Sequence, residues 1–503
     1  MSASVGNFDK HQLEALLQEG YRLTPATLAY KITRGMWVPA KHLLYISTIV
    51  SNAIIKGGQF IIVTMPPRHG KSEFLSVNTP IWFLEKFPHQ RVILTSYSAD
   101  LAAEFSLKVR NAFQNEDLRG LLTTRLRKDK QRVDDFKTTE GGGMIAAGIG
   151  GTITGKGANL FLIDDYVKNA EEALSETVRE KIWNWFLSTA FTRLEPNATI
   201  IVLATRWDKN DLIGMIIEKF AELEALGFDP PTIINLPALA RPNDPLGRKV
   251  GEALWPERYN ERDLERIRIT LGSYWWDAMY QQDPPLSMTG ANLGAKLRYI
   301  DAADIPHPSH LKSVRAWDLA ATEHGGDWTA GPKMHLHKQT GKIYIEDLAH
   351  GQWSPKGVEQ IVAACAEADG PGTQIWIEQE PGSAGKHLIE HYQSEVLPGF
   401  DCKGEKATGP IEVRAQPFLA AVEAGLVYAV RAPWNQKLVA QLDAFPSDND
   451  HNDIIAACAL GYRKLTRGRF GGIIWGRDRG SRMAPVYRGE PKKKLGGLVW
   501  GRR

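Results

Sequence analysis

The chain has 503 residues, too many for one ordinary core, so two or three domains are expected; 43% hydrophobic and 24% charged residues is an ordinary globular composition. The net charge of +3 is uneven: residues 466–503 hold eight Arg and three Lys against one Asp and one Glu, leaving the remainder at −6. Global charge therefore gives no argument for nucleic-acid binding, and any such contact must come from local patches or the tail.

Residues 1–58 read as a helical lead-in, clearest in "FDKHQLEALLQEG", with no apolar signal core. From 59 to about 240, β-branched apolar runs alternate with amphipathic helices. The strand candidates are 59–64, 91–96, 159–164, 198–205 and 232–237, with helices at 71–86, 99–116, 175–193 and 211–225. Continuous apolar runs between helices predict a parallel sheet covered on both faces, a doubly wound α/β domain. Residues 241–312 read as a Trp-rich helical segment followed by a linker. A second α/β unit spans 313–465: a strand in "KSVRAWDLAAT", a hairpin turning at "KQTGK", a helix at 355–368, a strand at 373–379, a helix after "PGSAGK" and a terminal helix "NDIIAACALGYRKL". Three strands followed by alternating helix and strand fit an RNase H-like order. Cys365, Cys402 and Cys458 are far apart and make no metal-ligand spacing, which points to a reducing compartment. No apolar run approaches the roughly 20 residues that span a bilayer, so the chain is expected to be intracellular with no membrane partner. The tail, 466–503, is Gly/Arg-rich and expected to be flexible, but repeats "GGIIWGR" (471–477) as "GGLVWGRR" (496–503), a pattern suited to docking.

"MPPRHGKSEF" (65–74) follows an apolar strand and precedes a helix, which is the order of a phosphate-cradling loop. The usual spacing asks for Gly where Met65 stands, and Pro66 and Pro67 stiffen the entrance instead. In that reading the backbone from Pro67 to Gly70 surrounds the phosphates, Lys71 bridges the β- and γ-phosphates, Ser72 holds Mg2+, and Arg68 and His69 lie beside the γ-phosphate. By itself "RHGKS" is also an ordinary basic turn. The strand "NLFLIDDY" (159–166) decides for ATP: Asp164 completes a Mg2+ shell and Asp165 faces elsewhere, towards an attacking water. Glu171 or Glu172 is the alternative water-orienting acid. "LATRW" places Thr205 and Arg206 at another strand end, where a γ-phosphate sensor belongs.

In the second unit Asp318, Glu378 and Asp453 occupy two strands and a helix start. Three such acids can meet around two Mg2+ or Mn2+ ions for phosphodiester hydrolysis. Asp450, Asp327 and Glu380 are further candidates; each acid taken singly is an ordinary surface residue.

The ordered set "MPPRHGKSE", "LFLIDD", "LATRW", "LWPERY", "GSYWWDAMYQQDP", "RAWDLAAT", "IEQEPGSAGK", "VRAQPF" and "NDHNDIIAACA" resembles the large terminase subunits of tailed double-stranded DNA bacteriophages. The resemblance implies an N-terminal P-loop ATPase of the ASCE type and a C-terminal RNase H-like nuclease. It implies nucleotide and Mg2+ roles for Lys71, Ser72, Asp164 and Asp165, coupling at Thr205, candidate base contacts at Trp37 and His42, and nuclease metals at Asp318, Glu378 and Asp453. It also implies double-stranded DNA, a small terminase subunit and a portal protein as partners. A homo-oligomeric ring during packaging and a place in the host cytoplasm, rather than permanently in the virion, complete the expectation. Lys406 and Arg414 are candidate DNA-phosphate contacts, and Arg110, Arg119 and Arg125 candidate arginine fingers. Two departures stand out: Asp165 where a Glu is usual, and Asn452 and Ala456 in the third nuclease motif, where Asp450 could compensate. The rival readings are a helicase-like ATPase without nuclease, a strand-transfer recombinase, and a structural capsid-associated protein.

Overall fold

The computed structural model describes residues 20–37, 39–153, 155–285, 292–320, 328–379, 383–446 and 452–466. The lead-in helix expected before residue 20 and the repeats of the tail lie outside the described residues. Among the described residues no helix is long and apolar enough to cross a membrane.

The first sheet is built from β1 (Phe60–Thr64), β2 (Arg91–Ser96), β3 (Leu126–Gln131), β4 (Asp135–Thr138), β5 (Gly143–Gly148), β6 (Ala158–Asp164), β7 (Leu194–Ala204) and β8 (Thr232–Asn235). Its order is β3-β4-β5-β2-β6-β7-β1-β8, parallel from β5 to β8, with β3 and β4 antiparallel at one edge. Alternation along β1 feeds two cores. Ile61 and Val63 join Leu43, Phe74 and Trp82 on one face, and Ile62 joins Trp185, Phe186 and Ile213 on the other. The polar hairpin β3–β4 was not expected. Its first strand, "LRKDKQ", is half-exposed and carries no apolar alternation.

Strand β7 lies between β1 and β6, so the loop after β1 and the acids after β6 reach the same carboxyl edge across one intervening strand. That is the ASCE arrangement. The helix after the loop opens with a π-helical stretch, Glu73–Asn78, and continues as α-helix Thr79–Lys86.

The second sheet contains β9 (Arg298–Ile300), β10 (Leu311–Trp317), β11 (Thr329–His337), β12 (Ile343–Gly351), β13 (Gln374–Gln379), β14 (Cys402–Lys406) and β15 (Val427–Val430). In the order β14-β13-β10-β11-β12-β15-β9, the antiparallel trio β10–β12 is flanked by parallel strands, as in an RNase H-like sheet. Strand β9 comes from the segment expected as linker and pairs with β15. Helix Asp453–Thr466 packs on the sheet, with Gly461 directly over Met334 and Ala316; a Cβ there would lie 2.6 Å from the Met334 sulfur.

Helix Glu261–Trp275 joins the two sheets. It breaks at Gly272, whose φ of +76° suits glycine and whose would-be Cβ lies 3.0 Å from Ala420. Next to it, Ser273 N donates to Glu423 Oε2 at 2.8 Å, anchoring the C-terminal end of helix Ile411–Glu423.

Candidate active sites

The loop after β1 answers the question of its missing leading glycine. Met65 is fully buried, and its carbonyl accepts from Thr205 Oγ1 at 3.3 Å, tying the loop entrance to the end of β7. The left-handed turns fall later, at Arg68 (φ +63°) and Gly70 (φ +90°). A side chain at Gly70 would also press on Leu43.

Across the sheet edge, Lys71 Nζ donates to Asp165 Oδ2 at 2.9 Å. Asp164 accepts from Ser72 Oγ at 3.0 Å and from Ser76 Oγ at 2.6 Å. Burial, then the neighbouring Asp165 charge, push the Asp164 carboxyl up to about 7 against Lys71, Ser76 and Ser72. Burial pulls Lys71 down, but Asp165 and Asp164 outweigh it and hold the ammonium above its ordinary range. Asp165 sits at φ +45°, its backbone held by Leu203 O and by Tyr97 N, both at 3.0 Å. Ser76, one helical turn beyond Ser72, is one residue missed from sequence; its spacing alone could have found it.

Several expected positions turn out differently. His69 does not face the loop mouth: it is fully buried, bonds Pro67 O through Nδ1 at 2.9 Å, and stacks on Tyr259 at 5.3 Å. His42, expected against a base, is also fully buried, and donates from Nε2 to His69 O at 2.9 Å beside Trp255. Trp255 packs against the His42 ring and Tyr259 against the His69 ring, so each histidine has an aromatic partner in the interior. Burial drives each histidine down to about 4, with Arg248 adding to the fall at His42, and His42, Arg258 and Arg248 at His69. Trp37 is half-buried and stacks on Phe74 at 5.8 Å. Arg68 is exposed at the loop. Of the alternative acids, Glu172 caps its own helix by accepting from Lys168 N at 2.9 Å, and Glu171 lies near Gly409 of the second domain.

The sensor strand end is clasped from the connecting segment. Arg206 Nε donates to Asp211 at 2.8 Å and its backbone N–H to Gln282 Oε1 at 3.1 Å, while Tyr274 Oη donates to Trp207 O at 3.2 Å. Gln282 was not anticipated. Of the candidate arginine fingers, Arg110 bonds Gln131 O, Arg119 pairs with Glu116, and Arg125 binds the carbonyls of Leu122 and Thr124.

In the second sheet Trp317 pairs with Ile377 across β10 and β13, and continuing that register by one residue sets Asp318 beside Glu378. Glu378 in turn pairs with Glu405 on β14, an acid that register alone reveals. Asp453, buried, opens the terminal helix. Asp450, Asp327 and Glu380 lie outside the described residues. Among the described residues no three His, Cys, Asp or Glu side chains are grouped to hold a metal ion, so the expected triad is not assembled as the side chains stand. Glu378 is engaged elsewhere: Arg414, expected on DNA, donates to its Oε2 at 2.6 Å. Lys406 is exposed at the end of β14.

Two family models match the chain in succession: terminase large subunit, T4likevirus-type, N-terminal, over residues 62–282, and terminase RNaseH-like domain over residues 315–465. No curated protein matches it. Among solved structures, the large terminase of a thermophilic bacteriophage in complex with ADP is 12% identical, with 83% of this chain and 96% of that one covered at a TM-score of 0.47. The HK97 bacteriophage large terminase is 11% identical over 82% of this chain and 93% of that one, at a TM-score of 0.32. The nuclease domain of the g2p large terminase of bacteriophage SPP1 with bound Mn is 13% identical over 34% of this chain and 96% of that one, at 0.25. One family model covers the phosphate-loop sheet and the other the RNase H-like sheet, and on these two matches the chain belongs to the terminase large subunit family.

Proposed function

We propose that the protein is the motor subunit of viral DNA packaging, which hydrolyses ATP to drive double-stranded DNA into a prohead and cuts concatemeric DNA at a second, metal-dependent site. The observation that carries it is the junction of Lys71 and Ser72 with Asp165 and Asp164 at one sheet edge, in a chain whose other sheet pairs Trp317 with Ile377, one residue before Asp318 and Glu378.

In the ATPase site, incoming phosphates take Lys71 from Asp165, and the freed Asp165 carboxylate accepts a proton from the attacking water. The backbone of Pro67–Gly70 and the exposed Arg68 bind phosphate charge. Ser72 and Asp164 are the hydroxyl and carboxylate that suit Mg2+, and their mutual hydrogen bond fits a shared ligand position. When bound, that ion would neutralise phosphate charge. Thr205 ties the loop entrance to β7, so a shift at the phosphates is felt at the strand end clasped by Gln282 and Tyr274.

In the nuclease site the all-carboxylate donor set suits Mg2+ or Mn2+, with Asp318, Glu378 and Asp453 as the residues that would hold them. Such ions, when bound, would supply an activated water and charge stabilisation at the leaving oxygen. The chain's own part is to present adjacent carboxylates on neighbouring strands and to bind backbone phosphates through Lys406 and Arg414. A homo-oligomeric ring in the host cytoplasm, working with a small terminase subunit and a portal protein, completes the reading.

The test is ATP turnover and plasmid cleavage by the intact chain, Lys71→Ala and Asp318→Ala. Loss of turnover in the first variant and of cleavage in the second, each leaving the other activity in place, is the expected result. Cleavage that survives Asp318→Ala would remove the nuclease assignment.

A further inference from the structure

We propose that Arg414 is an internal counter-cation of the nuclease site: it holds Glu378 until a divalent ion replaces it, and the released guanidinium then binds the DNA phosphate. The inference rests on the nuclease reading above. Arg414 Nη1 and Glu378 Oε2 are 2.6 Å apart, with side-chain exposures of 12% and 13%, so the pair is shielded from solvent and competes strongly with other partners. The bond is one-sided. Arg414 Nε is buried and makes no hydrogen bond, leaving that N–H of the guanidinium fork unsatisfied. A phosphate would satisfy both edges of that fork, as a single carboxylate oxygen does not.

The surroundings explain why a cation is needed there at all. Glu378 is paired with Glu405 on β14, and on its other side the register of β10 runs out to Asp318, the residue after that strand. Helix Asp453–Thr466 supplies Lys464, which pairs with Glu405, and helix Ile411–Glu423 supplies Arg414. Close, half-buried carboxylates repel one another, and the two basic side chains supply the positive charge that metal ions would otherwise bring. A divalent ion on Glu378 cannot coexist with the guanidinium at 2.6 Å without placing two cations on one carboxylate. Arg414 lies in the first turn of its helix, so its release needs only side-chain rotation. Metal binding and phosphate binding thereby favour each other: the ion frees the arginine, and a phosphate that captures the arginine frees the carboxylate.

The experiment is Mn2+ binding to the nucleotide-free full chain, read from the free-ion electron paramagnetic resonance signal. It compares wild type, Arg414→Gln, Arg414→Ala and, as the blank for this site, Asp318→Ala, with circular dichroism melting to confirm folding. Removing the competing cation is expected to tighten the Asp318-dependent Mn2+ binding by about tenfold or more in both Arg414 variants. In parallel, the slope of log duplex affinity against log salt should fall by about one in Arg414→Gln when Mn2+ is present, and stay at the wild-type value without it. Unchanged or weaker Mn2+ binding in both folded Arg414 variants overturns the proposal while leaving the nuclease reading intact. If Asp318→Ala removes no Mn2+ from any variant and no protein cuts plasmid, the nuclease reading fails and the proposal falls with it.

Discussion

Acidification should loosen the phosphate loop through two buried histidines. His42 and His69 are both fully buried, and burial is the main force that lowers each to about 4 from an ordinary 6.5. The charged groups facing them, Arg248 and Arg258, push the same way. A histidine whose folded value is depressed binds its proton more readily in the opened chain. Its stabilising effect is complete above pH 6.5 and is lost as pH falls from 6.5 to 4. The slope in that window is about 1.4 kcal/mol per pH unit for each histidine. At pH 5.5 the pair together costs about 3 kcal/mol, a large share of a domain's margin.

The assay is hydrogen exchange by mass spectrometry on peptides spanning residues 42–56 and 60–73, at pH 7.5 and 5.5, corrected for the chemical exchange rate. The opening free energy in wild type should drop by about 3 kcal/mol between the two conditions. Replacing both residues by Gln keeps a side-chain N–H donor at each position while removing the titration, so the pH difference should shrink below about 1 kcal/mol. An equal pH difference in wild type and the double variant would refute the reasoning, because another group would then be responsible.

Two further outcomes follow from single contacts. Ser76→Ala removes the 2.6 Å donor to Asp164 and should destabilise the first domain by about 1–3 kcal/mol and weaken Mg-ATP binding about tenfold, checked by melting and by the KM for Mg-ATP. Gly272→Ala forces a side chain into a left-handed residue 3.0 Å from Ala420, so limited proteolysis between the two sheets should accelerate while Mg-ATP binding is retained.

What could be read without coordinates follows from how each residue is stabilised. Strands β1, β2, β6 and β7 are buried on both faces, and their unbroken apolar runs announce them. Strands β3, "LRKDKQ", and β14, "CKGEK", are held by ladder bonds at sheet edges, and no hydrophobic period marks them. The three residues of β9 are too short to carry any pattern and are defined only by β15 beside them. The same division runs through the sites. Lys71, Ser72, Asp164 and Asp165 meet because local motifs at two strand ends are brought to one edge by the parallel sheet, and spacing within each motif is enough to anticipate that. The orientation of His69 is a different kind of fact. It depends on Tyr259, far along the chain, and a motif centred on "RHGKS" carries no information about that partner. Glu405 shows the limit most sharply: nothing in "CKGEK" distinguishes it from a surface acid, and only the pairing of β14 with β13 places it beside Glu378. Motifs therefore locate the groups that meet a ligand, whereas the groups that decide their charge and freedom come from elements that motif reading passes over. Arg414 belongs to both sets, since its string "VRAQPF" marks it while its bond to Glu378 is visible only in three dimensions.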